Sequence, residues 1–194
     1  AGVLRGAEAG GRMSPRIDRT RLRNGMILHA RTRTTFGWLI RRVLKSWGSH
    51  DALLWEGYSS DWWVCDAMPP VARLTPLHEW EQRVLDGQAE LRFYWPAGAK
   101  AMDGGVAAKW WLQHVRNSPY DRCAFPRLLL KALFMDVWER QAGKEWAFYC
   151  TESVRGAWQY AGFDVWGKNN PTPGTTEKRV ASGALEDWTG QVSV

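Results

Sequence analysis

An α+β fold, with helices packed on a small antiparallel sheet, is predicted by three observations. Two strand-type runs, His50-Asp51-Ala52-Leu53-Leu54-Trp55 and Trp62-Trp63-Val64-Cys65-Asp66-Ala67, flank the turn-rich Glu56-Gly57-Tyr58-Ser59-Ser60-Asp61 and read together as a hairpin. From Thr151 onward the apolar residues Val154, Ala157, Trp158 and Ala161 recur at helical spacing, and Gly162 follows as a stop signal. At 194 residues the chain fits one domain with a sizeable core and terminal extensions.

The elements follow in order. Residues 1–21 form a basic arm, a strand is expected near Met26 to His29, and a helix near Phe36 to Ser46. The hairpin stops at Met68-Pro69-Pro70, a helix follows around Pro76 to Leu85, and Glu90 to Tyr94 is strand-type. Gly98-Ala99-Lys100-Ala101-Met102-Asp103-Gly104-Gly105 lacks the spacing of a phosphate loop and any following Lys-Ser/Thr pair, so it reads as a plain loop. A helix from Gly105 to Arg116 and a long apolar connection from Phe125 to Trp138 lead to the helix that begins at Cys150. Asn169-Asn170-Pro171-Thr172-Pro173-Gly174 is a loop by composition, and Val192 to Val194 is expected to close as an edge strand. The domain is thus placed at 22–167, with 168–194 as an extension that packs on it or closes it.

Composition narrows the function classes. Fourteen Trp is far above ordinary usage. Trp62, Trp63, Trp110, Trp111, Trp138, Trp146, Trp158 and Trp166 are expected to build much of the core, with some rings free to line a cleft for sugars or acyl chains. Residues 1 to 45 hold eleven Arg or Lys against Glu8 and Asp18, a local +9 that leaves the rest of the chain near −3 of the total +6. Such a basic region suits an acidic protein surface, an acidic polymer or anionic lipid, and a solvated tail equally well. Without aromatic interleaving or a nucleic-acid motif, nucleic acid is not the expected partner. No apolar run approaches the ~18 residues of a spanning helix, and the first twenty residues lack the apolar core of a secretory signal. A soluble protein of unassigned compartment is expected, either cytoplasmic or associated with a virion.

The chemistry centres on Cys150. It ends the aromatic run Trp146-Ala147-Phe148-Tyr149 and opens a helix, where unpaired backbone N–H groups and the positive end of the dipole favour thiolate. A buried, inert core thiol is the competing reading, and a partner base separates the two. His50, at the start of one hairpin strand, is the candidate base. Asp66, near the end of the antiparallel partner, shares a face with Val64 and Trp62 and can neighbour the imidazole. Asp51, next to His50, competes with Asp66 for that role. The four histidines and three cysteines show no CxxC, HxxxH or HExxH spacing, so neither a metal nor any other cofactor is expected. An odd count of three cysteines also argues against a disulfide scaffold. His78 and His114 lie in charged, amide-rich segments and read as solvated helical positions.

At these residues the chain resembles the circularly permuted NlpC-type papain-like cysteine amidases and peptidases. Gly25-Met26-Ile27-Leu28 is similar to the opening Gly-Asp-Ile strand of that family, Ser49-His50 to its Ser-His strand, and Asp66-Ala67 to its polar-Ala strand end. Val71 to Trp80 looks like the strand-to-helix connection, Ser118-Pro119-Tyr120-Asp121 like the Pro-Tyr-Asp motif, and Tyr149-Cys150-Thr151-Glu152-Ser153-Val154 like the Tyr-Cys-Ser-Glu-Leu-Val motif. The resemblance covers about residues 22 to 167. Met26 stands where the family has Asp, Asp51 where it prefers an apolar residue, and Asp66 where Glu, His or another polar residue is common.

The resemblance implies a permuted papain-like fold and a thiol hydrolase. Cys150 would be the nucleophile, His50 the base and Asp66 the orienting group. Tyr120, Tyr149 and Glu152 would line the site or help hold the oxyanion. The expected substrate is a peptide or isopeptide bond of peptidoglycan, with delivery by a phage tail or lysis apparatus as one setting. Fatty-acyl amides or esters, by hydrolysis or acyl transfer, form a second substrate class. A structural or adaptor protein of a virion that keeps the fold is the rival reading.

Overall fold

A computed structural model describes residues 17–121, 149–167 and 171–192. Arg5, Arg12 and Arg16 of the arm, Cys123, the stretch from Phe125 to Trp138, Trp146, Asn169 and Asn170 lie outside the described residues. Six antiparallel strands form one sheet: β1 Ile27–Thr32, β2 His50–Glu56, β3 Trp62–Ala67, β4 Ala72–Pro76, β5 Ala89–Pro96 and β6 Leu185–Asp187. Their spatial order is β4-β3-β2-β1-β5-β6. The helices are α1 Thr35–Leu44, α2 Leu77–Leu85, α3 Ala101–His114, α4 Cys150–Tyr160, α5 Pro173–Ala181 and the single turn α6 Thr189–Val192. The fold is therefore α+β.

The core forms where the central strands meet α2, α3 and α4. Met26, Ile27, Leu28, Leu53 and Leu54 are fully buried, together with Trp80, Trp95, Trp111, Trp158 and Trp166. Full burial of each such side chain contributes roughly 1.5–3 kcal/mol, which explains how a chain this rich in tryptophan fills its interior. Trp62 and Trp63 alternate as the strand period requires, the first buried and the second half-exposed. Trp110 is half-buried on α3. Indole N–H groups also tie elements together: Trp158 donates to the Gly25 carbonyl at 3.1 Å, and Trp111 donates to Ser153 Oγ at 3.1 Å.

Three local expectations need correction. Helix α3 starts at Ala101, inside the segment read as a loop, because Asp103 accepts from the Lys100 N–H at 2.7 Å and starts the helix despite the glycines. Gly104 is there for contact: a Cβ on it would sit 2.0 Å from the Asn24 carbonyl oxygen and 2.6 Å from the Trp95 ring. Gly104→Ala is expected to cost about 1–3 kcal/mol by overpacking, read as a lower urea midpoint with an unchanged slope; an unaltered midpoint would contradict the close approach. Second, Pro173 opens α5 rather than extending a loop. Thr172 accepts from the Thr175 N–H at 3.1 Å, and a proline is well suited to a first helical position. Third, the edge strand is β6, paired to β5, while Val192 ends α6.

Candidate active site

Strand register sorts the titratable groups. Ala30 lies opposite His50 and His29 opposite Asp51 on β1 and β2, while Leu54 lies opposite Val64 and Leu53 opposite Cys65 on β2 and β3. Opposed residues share a face and successive residues alternate. His50, Ala52, Leu54, Val64 and Asp66 therefore project from one side, and His29, Asp51, Leu53 and Cys65 from the other. Asp51 cannot serve His50, and the structure gives each imidazole its own carboxylate.

On the first side, His50 Nε2 lies 2.7 Å from Asp66 Oδ1. Asp66 is fully buried, and its second oxygen accepts from Thr75 Oγ1 at 3.5 Å. The His50 ring stacks on Trp80, with centroids 5.8 Å apart and planes 6° from parallel, and Arg83 covers the same indole at 4.5 Å. The imidazole is thereby fixed in plane. The Cys150 thiol lies near enough to the same imidazole to favour its charged form. With Nε2 engaged by Asp66, Nδ1 is the nitrogen left to exchange a proton with a thiol. Burial pulls the His50 pKa down, yet Asp66 and Cys150 outweigh it and hold the ring well above its ordinary value.

Cys150 is the first residue of α4 and is 7% exposed. Tyr149 occupies the cap position in an extended conformation and gives no side-chain cap; its hydroxyl instead donates to the Pro171 carbonyl at 2.8 Å. Tyr149 therefore anchors the turn before α5, and its one O–H is not directed at the thiol. Ser153 steadies the first turn by donating to the Cys150 carbonyl at 2.7 Å while accepting from Trp111. Glu152 sits half-buried in that turn, on the helix end that favours an acid. Tyr120 lies within electrostatic reach of Cys150 and Asp66. Its phenol is pushed upward by burial first and then by Cys150, Asp121, Tyr149 and Asp66, so it stays neutral. Cys65 is a different kind of thiol, fully buried on the opposite side of the sheet, with its pKa raised by burial and by Asp66.

The second side carries a network that no local sequence pattern brings together. His29 Nδ1 lies 2.5 Å from Asp51 Oδ1, both groups fully buried, and His29 Nε2 lies 3.3 Å from Glu177 Oε1 on α5. Asp51 Oδ2 accepts from Thr151 Oγ1 at 2.6 Å and from Thr176 Oγ1 at 3.0 Å. Glu177 also accepts from the Gly48 N–H at 2.9 Å. Burial lowers the His29 pKa, but Asp51 and Glu177 together raise it to about 9. Consecutive strand residues, His50 and Asp51, thus meet consecutive helix residues, Cys150 and Thr151. The start of α4 is held from both sides of β2. The signal was present in the sequence, since period-two alternation alone separates Asp51 from His50.

His78 and His114 are exposed on α2 and α3, and His114 stacks on Trp110. Among the described residues no group of three or more His, Cys, Asp or Glu side chains could hold a metal ion. Asp51 and Glu177 approach His29 from opposite ring nitrogens, which is an ion-pair arrangement rather than a coordination sphere.

No family model matches the chain, and no curated protein matches it. Among solved structures it is similar to the metalloprotein yiiX from Escherichia coli O157:H7 (DUF1105), at 18% identity over 84% of each chain with a TM-score of 0.57. At that identity the likeness speaks for the fold alone.

Proposed function

We propose that this chain is a cysteine hydrolase of the permuted papain-like type that cleaves an amide bond through a thioester. The observation that carries the reading is the His50 imidazole, held between the Asp66 carboxylate at 2.7 Å and the Cys150 thiol at a helix start. The order His50, Asp66, Cys150 along the chain, on an α+β fold with an antiparallel sheet, agrees with it.

The chemistry follows from the protonation states. Asp66 keeps the proton on His50 Nε2 and stabilises the cation that forms when Nδ1 takes the thiol proton. The thiolate attacks the carbonyl carbon, and backbone N–H groups at the start of α4, with the Tyr120 hydroxyl as a second donor, would hold the developing oxyanion. His50 Nδ1 returns its proton to the leaving amine as the C–N bond breaks, leaving an acyl thioester on Cys150. Water, deprotonated by the same nitrogen, then releases the acid and restores the thiol.

Peptide or isopeptide bonds of peptidoglycan are the proposed substrate. The test is release of new amino groups from purified peptidoglycan, measured for the native chain and for Cys150→Ala, with a long-chain N-acyl amide assayed in parallel. Release by the native chain alone is the expected result. Turnover of the acyl amide only would move the substrate to lipid. Absence of turnover on both, or equal turnover by Cys150→Ala, would overturn the assignment.

A further inference from the structure

Helix α4 starts without the usual device. Tyr149 at its cap position makes no side-chain cap, yet proton exchange between Cys150 and His50 tolerates little displacement of the first turn. Thr151, the next residue and fully buried, supplies a restraint by donating to Asp51 Oδ2 at 2.6 Å. Cys150 Sγ lies 3.8 Å from the same threonine oxygen. A hydroxyl has one proton, and the short bond to a carboxylate takes it. Toward sulfur, Thr151 Oγ1 therefore presents lone pairs only; it accepts from the thiol and cannot donate to it.

Asp51 is itself immobilised. It is fully buried, with His29 Nδ1 2.5 Å from its first oxygen and Thr176 of α5 donating to the second at 3.0 Å. His29 is held in turn by Glu177 at 3.3 Å and by the rings of Trp47 and Tyr94, whose centroids lie 5.5 and 5.4 Å away. Compared with apolar side chains of the same volume, such a buried pair adds little stability, because desolvation offsets the attraction. What it provides is a charge at a fixed place. Of the described side chains bonded to that carboxylate, only Thr151 adjoins the nucleophile.

We propose that, given Cys150 and His50 as the reacting pair of the hydrolase proposed above, Thr151 is a positioning residue, which ties the turn carrying Cys150 to the Asp51 carboxylate and so sets the thiol against His50. Two carboxylates then act from the two sides of β2. Asp66 fixes the imidazole, and Asp51 fixes the thiol through Thr151. Thr176 is the natural control, because it hydrogen-bonds the same Asp51 oxygen from α5 and is not joined to the nucleophile.

Iodoacetamide alkylation of Cys150 in the full chain at neutral pH, followed by mass spectrometry, tests this without a substrate. Each variant is measured with and without His50→Ala, so that a change in access to the thiol cancels and the ratio of the two rates reports the pairing alone. Thr151→Val keeps the side-chain shape, removes the hydroxyl, and is expected to lower that ratio about tenfold or more. Thr151→Ser is expected to restore most of it. Thr176→Val, which also costs Asp51 a donor, should leave the ratio at its native value while lowering the urea midpoint about as much as Thr151→Val does. Thr151→Ala gives the same comparison should the valine variant not fold. A native ratio in Thr151→Val, or an equal fall in both valine variants, would overturn the proposal. A ratio near one in the native chain would instead remove the His50 and Cys150 pair itself, and the positioning role with it.

Discussion

Asp51→Ala is expected to remove about 3–5 kcal/mol of stability, the usual consequence of stripping one partner from a buried ion pair. The residue left behind is the difficulty. His29 is fully buried and would keep its charge with only the 3.3 Å contact to Glu177, while the Thr151 and Thr176 hydroxyls would both lose their acceptor. Urea unfolding near neutral pH measures it, and a loss below about 1 kcal/mol would show that the pair is not ionised in the folded chain. The native protein should show the same pair in its pH dependence. The folded imidazole titrates at about 9 against an ordinary 6.5, so its contribution is complete below about 6.5 and is lost as pH climbs through 9. Asp51 works in the other direction. Burial opposes its ionisation, but His29 and the Thr151 hydroxyl outweigh that and hold it below the ordinary carboxylate range, so its contribution disappears on acidification. Stability is therefore expected to fall on both sides of neutrality, and Asp51→Ala should flatten both limbs.

His50→Ala is expected to lower turnover of a peptidoglycan amide by about 10²–10⁴-fold, the range attributed to a positioned general base. The effect should fall on kcat, because His50 lies under Trp80 at 7% exposure and its partners are Asp66 and Cys150. A change confined to KM would assign His50 to binding and remove it from the proton path.

The hairpin, the α4 helix and the His50, Asp66 and Cys150 positions were all legible in the sequence, because each depends on local pattern. Period-two alternation puts Asp66 on the face of Val64 and Trp62, and helical spacing after Thr151 puts Cys150 at a first turn. The network around Asp51 was not assembled, because its members lie on β1, β2, α4 and α5 and only the strand order brings them together. Helix α5 is hidden by its local composition. Pro171, Pro173 and Gly174 read as turn residues, yet Pro173 needs no N–H at a first helical position and a Cβ on Gly174 would lie 3.1 Å from the Leu44 carbonyl oxygen. The start of α3 was misplaced for the same reason at Gly104, where close backbone approach, not a turn, requires the glycine. Tyr149 looked like a lining group from its position beside Cys150, but hydroxyl direction is a tertiary property, and its hydroxyl turns to Pro171.

The most direct measurement is the rate of iodoacetamide alkylation at Cys150 and Cys65 across pH, followed by mass spectrometry for the native chain and for His50→Ala. A thiolate paired with the imidazole should label at Cys150 from below neutral pH, and the substitution should slow it sharply. Cys65, buried on the other side of the sheet with its pKa raised, should stay unlabelled in both. If Cys150 labels only as pH approaches the ordinary thiol range, at a rate indifferent to His50, the thiol is a core residue and the hydrolase reading is wrong.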